Sequence, residues 1–420
     1  MRLLCLLLLS VWGLFGQRVS ERKLERWLSQ VPAFEKAHFA LHVESLSGKT
    51  NATYHGGTYM TPASNTKLFT FLGALQTFDS LAALYYAIEK DSLLHFKSTG
   101  YPLLLHPFYP DTTLHSFFST VKKGYYYPPS ESPNPSGAGW AWDDYAYYYA
   151  AESSSFPIYG NSTQAVWEAT APKLMPQFPV YPDSLVSRLE REHQSNRFAY
   201  NPAAWKEKDT LYRPFKTSDS LFVRLLSEAT NKEMAIATAP PANLDWKPLY
   251  THHEIPLYRG LLQDSDNGIA EALLLMIAEH QSGRMRPEVA IDTLQKQWSS
   301  WLPDPLEWVD GSGVSRYNMV TPRTLVALLQ QIYTSADWET LQTLFPKSGQ
   351  SGTLQAYADL KNVYAKTGSL RHNHNLSGYW VSERGNTYLF SVMVNHFTAP
   401  TAEIRKGITE VLTALQQKLK

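Results

Sequence analysis

Cysteine is almost absent from this chain: among 420 residues there is one, Cys5. A single thiol excludes a disulfide framework and a cysteine-built zinc site. Net charge is also missing. Lys+Arg and Asp+Glu both number 38, so the basic excess that marks nucleic-acid binders is not there. Long hydrophobic runs are scarce. The most pronounced, Leu3 to Phe15, has 13 residues with Ser10 as its one polar side chain, against the roughly 20 that a spanning helix needs. No internal repeat and no long low-complexity tract is visible. What is abundant is aromatic: 25 Tyr, 12 Trp and 18 Phe, together with 26 Pro. Apolar residues make up 44%, enough to build real cores, and the length sets an expectation of two or three domains.

Arg2, the short apolar run and the small Gly16 before Gln17 read as a secretory signal covering residues 1–16. Leu14 is larger than the small residue usual two positions before Gly16; a buried N-terminal element is the alternative. Cleavage after Gly16 would leave no cysteine. The expectation is a soluble, exported, periplasmic protein with no integral membrane span.

Local patterns organise the rest. Arg22 to Trp27 opens a short helix. His38 to Ser45 alternates, with Phe39, Leu41 and Val43 on one face, as a strand does. Thr61 can cap a helix with Pro62 in its first turn, and Leu68, Phe69, Phe71, Leu72, Leu75 and Phe78 continue it as a mostly buried helix. Residues 91–240 change character. They are rich in turns and aromatics, and strand-like pieces recur through Phe222, so they read as an inserted β-rich accessory region between two parts of one domain, 17–90 and 241–420. Helices are expected over Ile269–Ala278 and after Pro322, a dense strand at Tyr388–Asn395, and a closing amphipathic helix at Thr401–Lys418.

Three short motifs can carry chemistry. Ser64-Asn65-Thr66-Lys67 places an amine and a hydroxyl three residues apart, on one helix face. A serine needs a base to become a nucleophile, and a lysine serves when its site lowers its pKa. Alone this is weak, since Ser119-Thr120-Val121-Lys122 matches too. Ser265-Asp266-Asn267 offers a hydroxyl to relay a proton and an amide to hold a substrate carbonyl; Ser132-Pro133-Asn134 shares its spacing within a proline-rich turn. Lys366-Thr367-Gly368, followed by Ser369, can bind a carboxylate with Lys366 and Thr367, while Gly368 permits close backbone approach. The N–H groups of Ser64 and Ser369 can form an oxyanion hole. In this order the three motifs are the signature of serine penicillin-recognising acyl enzymes.

The chain resembles the S13 peptidases, the D-alanyl-D-alanine carboxypeptidase/endopeptidases known as class C low-molecular-mass penicillin-binding proteins. The resemblance is carried by Thr61–Phe69, Ser265–Glu271, Asp310–Arg316, Ala365–Leu370, Ser377-Gly378-Tyr379 and the Trp140–Tyr145 segment. The 201-residue separation of Ser64 from Ser265 adds to it, because a large insertion there marks this family. The implied fold is α/β, a serine β-lactamase/penicillin-binding-protein-like catalytic domain with an antiparallel sheet between helices and the β-rich insertion. The implied roles are nucleophile for Ser64, base for Lys67, proton relay for Ser265 with Lys366, and substrate binding for Asn267, Thr367, Gly368 and Ser369. The implied partners are peptidoglycan peptide stems, with β-lactam antibiotics as inhibitors. No cofactor, metal or nucleic acid is expected, and the oligomeric state is open. Two features depart from the family: only Gly100-Tyr101-Pro102-Leu103 stands for its Gly-rich strand in the insertion, and a polar run, Arg371–Asn375, follows Lys-Thr-Gly-Ser-Leu.

Asp143 and Asp144 can present a carboxylate to the amino end of a diamino acid, or simply cap a turn. His372-x-His374 and His252-His253-Glu254 lack a third metal ligand at a sensible spacing and read as loops. The Tyr/Trp clusters can stack on sugar rings or pack as core. Asn51-Ala52-Thr53 and Asn161-Ser162-Thr163 match glycosylation acceptors incidentally. Two competing readings are a β-lactamase or esterase on the same fold and a non-catalytic peptidoglycan binder. Against the first, neither Glu288 nor Glu307 has the Glu-x-x-x-Asn context of a deacylating base. Against the second, Ser64, Lys67 and Lys366 are intact.

Overall fold

The computed structural model describes residues 18–205 and 209–419; the expected signal, residues 1–16, lies outside them. Two compact units emerge. One comprises the chain up to Leu68 with Ser299–Glu307 and Met319–Lys420, the other Phe69–Trp298 with Trp308–Asn318.

The first unit is built on a five-stranded antiparallel sheet in the order Val363–Leu370, Asn373–Val381, Thr387–Asn395, His38–Ser45, Thr50–Tyr54. Alternation sends Phe39, Leu41, Val43, Leu376, Trp380, Phe390, Val392 and Val394 to one face. There they pack on Ile404, Ile408, Val411, Leu412 and Leu415 of the closing helix Thr401–Lys418, and with Leu24 and Leu28 of the helix Glu21–Leu28. Each such side chain contributes about 1.5–3 kcal/mol by leaving water. The opposite face meets the helix Pro322–Ser335, where Tyr379 donates to the Leu329 carbonyl at 2.7 Å. Thr321 caps that helix by accepting from Thr324 N, with Pro322 in the first position. Sheet between helices is the α/β architecture expected.

One expected cap is corrected. Thr61 does not cap the helix that follows. Its N–H donates to Asn395 Oδ1 and its carbonyl accepts from Asn375 and Asn395, so the sheet holds it. The chain passes through Pro62 into a single 3-10 turn, Ala63–Thr66, before the α-helix Lys67–Thr77 begins.

The second unit centres on the helix Asn267–Ser282. Every residue from Ile269 to Ala278 is buried, as suits a helix apolar all round. Asp266 caps it by accepting from Ile269 N, and Gly283 ends it at φ 69°. The helix Pro287–Trp298 packs beside it. A mixed five-stranded sheet runs in the order Glu233–Ile236, Lys123–Tyr126, Leu93–Ser98, Ala82–Glu89, Lys247–Tyr250, with parallel pairing on both sides of Lys123–Tyr126. Two three-stranded sheets lie between residues 162 and 214. The strand pattern does not extend through Phe222. That residue is buried in the helix Asp219–Thr230, started by Ser218 accepting from Leu221 N. A second helix, Thr112–Thr120, also interrupts the β-rich region. Among the described residues no helix is long and apolar enough to cross a membrane.

Candidate active site

Ser64 lies in the 3-10 turn, and Lys67 begins the α-helix. Lys67 Nζ donates to Ser64 Oγ at 3.2 Å, and the lysine is wholly buried. Ala63, just before the serine, has φ 49°, a conformation that costs a non-glycine residue about 1–3 kcal/mol and persists only where the surroundings impose it.

Those surroundings belong to the sheet. Asn375 Nδ2 donates to the carbonyls of Thr61 and Pro62, at 2.9 Å each. Asn395 donates to Asn375 Oδ1 at 3.1 Å. Asn65 Nδ2 donates to Ser377 Oγ at 2.7 Å, and Ser377 donates to Ser391 at 2.9 Å. A buried polar ladder from two strands thus grips the turn that carries Ser64. Asn375 also gives the polar run after Lys-Thr-Gly-Ser-Leu a role: it is the clamp.

Lys366, Thr367, Gly368 and Ser369 lie on Val363–Leu370, the sheet's edge strand. A Cβ on Gly368 would stand 2.3 Å from the Pro62 carbonyl oxygen and 3.0 Å from Asn65 N, so only glycine lets this strand close on the serine turn. Lys366 is fully buried, its Nζ donating to the Thr367 carbonyl at 2.8 Å. Thr367 Oγ1 donates to Thr353 Oγ1 at 2.8 Å. Ser369 is exposed and shares a strand face with Thr367.

In the second unit, Ser265 sits at φ 60° immediately before the central helix, a second strained backbone at a serine. Asn267 Nδ2 donates to the Tyr149 carbonyl at 2.7 Å. The helix interior supplies a carboxylate to which the sequence pattern assigned no role. Glu271 is buried and accepts from Gly311 N at 3.1 Å and Ser312 N at 2.8 Å. Burial, with the Asp310 charge second, pushes its pKa up. Asp310 accepts from Gly313 N, Ser315 N, Asn318 Nδ2 and Trp140 Nε1. Thr70, one turn after Lys67, donates to the Gly311 carbonyl at 2.8 Å. Asp310–Gly313 is therefore a scaffolded turn held by two buried carboxylates.

Asp143 is exposed, and Asp144 accepts from Tyr149 Oη at 2.7 Å in the same aromatic segment. Trp142 is 74% exposed. The second Ser-x-x-Lys match has no site around it: Ser119 donates to its own helix at the His115 carbonyl, and Lys122 is exposed. Asn51 and Asn161 are buried. No group of three or more His, Cys, Asp or Glu side chains that could hold a metal lies among the described residues. The clamp residues escaped sequence reasoning because asparagine in a strand has many causes. The available signal was the polar run Asn373-His374-Asn375 opening a strand that ends in Tyr379-Trp380-Val381.

A serine paired with a buried lysine, a Lys-Thr-Gly edge strand and a sheet sandwiched by helices suit a serine hydrolase, and similarity to known proteins makes it a serine peptidase. The chain belongs to the D-Ala-D-Ala carboxypeptidase 3 (S13) family, whose model matches residues 20–114 and 132–415. It is similar to D-alanyl-D-alanine carboxypeptidase DacB of Haemophilus influenzae, 25% identical over 407 residues that span 84% of each chain. A D-alanyl-D-alanine carboxypeptidase of Actinomadura sp. strain R39 is 34% identical over 148 residues, 32% of this chain and 27% of that one. The crystal structure of H. influenzae penicillin binding protein 4 (dacB) shares the fold, with a TM-score of 0.75 at 20% identity over 94% of this chain and 99% of that one. The resemblance read from the motifs is borne out, and the enzyme is of D-Ala-D-Ala carboxypeptidase type.

Proposed function

We propose that this enzyme is exported to the periplasm by residues 1–16 and cleaves D-Ala-D-Ala bonds of peptidoglycan stems and cross-links through an acyl-enzyme on Ser64. The observation that carries the reading is Lys67 Nζ at 3.2 Å from Ser64 Oγ, in a wholly buried position. Neutral Lys67 takes the serine proton as Oγ attacks the carbonyl of the terminal peptide bond. The N–H groups of Ser64 and Ser369 hold the developing oxyanion. Ser265, with Lys366, passes a proton to the leaving D-alanine as the C–N bond breaks. Asn267 binds the substrate amide. Thr367 and Ser369 hydroxyls, with Lys366, bind the terminal carboxylate, and Gly368 keeps that strand against the serine turn. Water then cleaves the ester and frees Ser64.

Asp143 and Asp144 present negative charge to a free amine of the stem peptide. Residues 91–240 act as an accessory region inserted between 17–90 and 241–420. A crystal structure of the H. influenzae protein holds a β-lactam, which supports penicillin as an inhibitor that acylates Ser64 here.

The test is intact mass after brief exposure to penicillin, on the protein and on Ser64→Ala. A persistent adduct mapped to Ser64 and missing from the variant is expected. Consumed drug without an adduct would turn the reading to a β-lactamase. Intact drug with no adduct and no peptide turnover would leave a non-catalytic binder.

A further inference from the structure

Beside the Lys-Thr-Gly strand lies a buried histidine that the scheme above does not use. His374 stands opposite Ser369 in the hairpin register and is 3% exposed. Its Nδ1 is 2.7 Å from Ser369 Oγ, and its Nε2 is 2.6 Å from Tyr357 Oη. Tyr357 is 1% exposed. The Arg405 guanidinium, from the closing helix, lies 5.9 Å from the Tyr357 ring centroid and hydrogen-bonds the Tyr357 hydroxyl. All four residues belong to the first unit.

Elementary hydrogen-bond chemistry gives this row a direction. Arginine has only donors. The phenol oxygen can therefore offer Arg405 nothing but a lone pair, and its own proton turns to His374 Nε2. A neutral imidazole carries one N–H. Burial holds His374 neutral, its pKa pushed down to about 4. With Nε2 accepting, the proton must sit on Nδ1, where it donates to Ser369 Oγ. The serine then has its own hydroxyl proton left to give, and Ser369 is exposed on the face it shares with Thr367.

We propose that His374 and Tyr357 are positioning residues: through the one-way row Tyr357 to His374 to Ser369 they aim the Ser369 hydroxyl proton outward as a donor to the substrate carboxylate. The proposal rests on the substrate reading above. Reversing the row would turn the Ser369 proton inward and present a lone pair to an anion. Neither His374 nor Tyr357 touches substrate, so both act on binding rather than on bond cleavage.

The first test needs no turnover. In the full-length protein with 15N-labelled histidine, long-range 15N–1H correlation reports the tautomer, and His374→Gln assigns the signal among 13 histidines. A protonated Nδ1 and bare Nε2 at neutral pH are expected. A protonated Nε2 would overturn the row, whatever the enzyme's activity. The second test is kinetic, on a peptide ending in D-Ala-D-Ala. Tyr357→Phe should raise KM about tenfold, the worth of roughly 1.4 kcal/mol of uniform binding, with kcat within about twofold. Ser369→Ala should do the same, and the double variant should be no worse than either single one. Additive losses, or a collapse of kcat in Tyr357→Phe, would show a structural role and overturn the proposal. A correct tautomer in a protein with no turnover and no Ser64 adduct would place the failure in the substrate reading.

Discussion

Removing the Asn375 amide should loosen the catalytic serine without unfolding the enzyme. In Asn375→Ala the carbonyls of Thr61 and Pro62 each lose a bond of 2.9 Å. They are not orphaned, since Thr61 keeps Asn395 Nδ2 at 3.3 Å and Pro62 keeps Asn65 N at 3.2 Å. Asn395 Nδ2 also loses its 3.1 Å bond to Asn375 Oδ1, so the loss is that of three ordinary hydrogen bonds, about 1.5–4.5 kcal/mol together, rather than the larger desolvation cost of bare buried acceptors. At roughly 2–4 °C per kcal/mol for a body of this size, the melting temperature should fall by roughly 6–12 °C. The catalytic effect should be of similar size. Ala63 is held at φ 49°, and relaxation there releases about 1–3 kcal/mol of strain that positions Ser64. The penicillin acylation rate, followed by intact mass against time, should drop about 10- to 100-fold, at tenfold per 1.4 kcal/mol. Asn375→Asp keeps the shape but sets a carboxylate against two carbonyl oxygens, and should be worse on both counts. Wild-type acylation in Asn375→Ala alongside a lowered melting temperature would refute the clamp as a catalytic device.

Gly368→Ala would drive a methyl group to within 2.3 Å of the Pro62 oxygen, so the edge strand must move away and acylation should fall at least tenfold, roughly the effect of 1.4 kcal/mol; unchanged acylation would mean the strand has slack. His374, pushed down to about 4 from an ordinary 6.5, makes the unfolded chain the better proton binder between those values. Its stabilising contribution is therefore complete above about pH 6.5 and lost on acidification towards 4, about 3 kcal/mol at 1.36 kcal/mol per unit. Denaturant titrations across that window should show a shallower acid loss in His374→Gln. Asp143→Asn should raise KM several-fold for a stem peptide with a free side-chain amine and leave its acetylated form unaffected, as the loss of an exposed charge pair worth up to about 1 kcal/mol requires; equal effects on both peptides would remove Asp143 from substrate recognition.

Much of the fold and the site is legible in the amino-acid sequence, and for local reasons. A strand such as His38–Ser45 writes its two faces into alternate residues, and the closing helix Thr401–Lys418 writes its buried stripe at helical spacing. The Ser64–Lys67 pair is three residues apart, so helical geometry alone brings amine to hydroxyl. Motif order points to the family, because three weak patterns in one sequence constrain each other. The misreadings have different causes. Thr61 has the chemistry of a cap, yet strands more than 300 residues away claim its N–H and carbonyl. The strand pattern through Phe222 gives way to the helix from Asp219, which has local signals of its own in the Ser218 cap and in Phe222, Val223, Leu225 and Leu226 buried at helical spacing.

Which residues can do the chemistry, and which elements carry them, is decided by the order of amino acids, since helical and strand periodicity act between near neighbours. What holds those residues in place is decided by the tertiary structure alone. The Asn375–Asn395 clamp, the Gly368 contact, the Glu271 support of Gly311 and Ser312, and the Tyr357–His374–Ser369 row each join positions distant in sequence or with no distinguishing composition. A buried polar group must find its partner wherever the fold brings one, and no local pattern in the chain records where that will be.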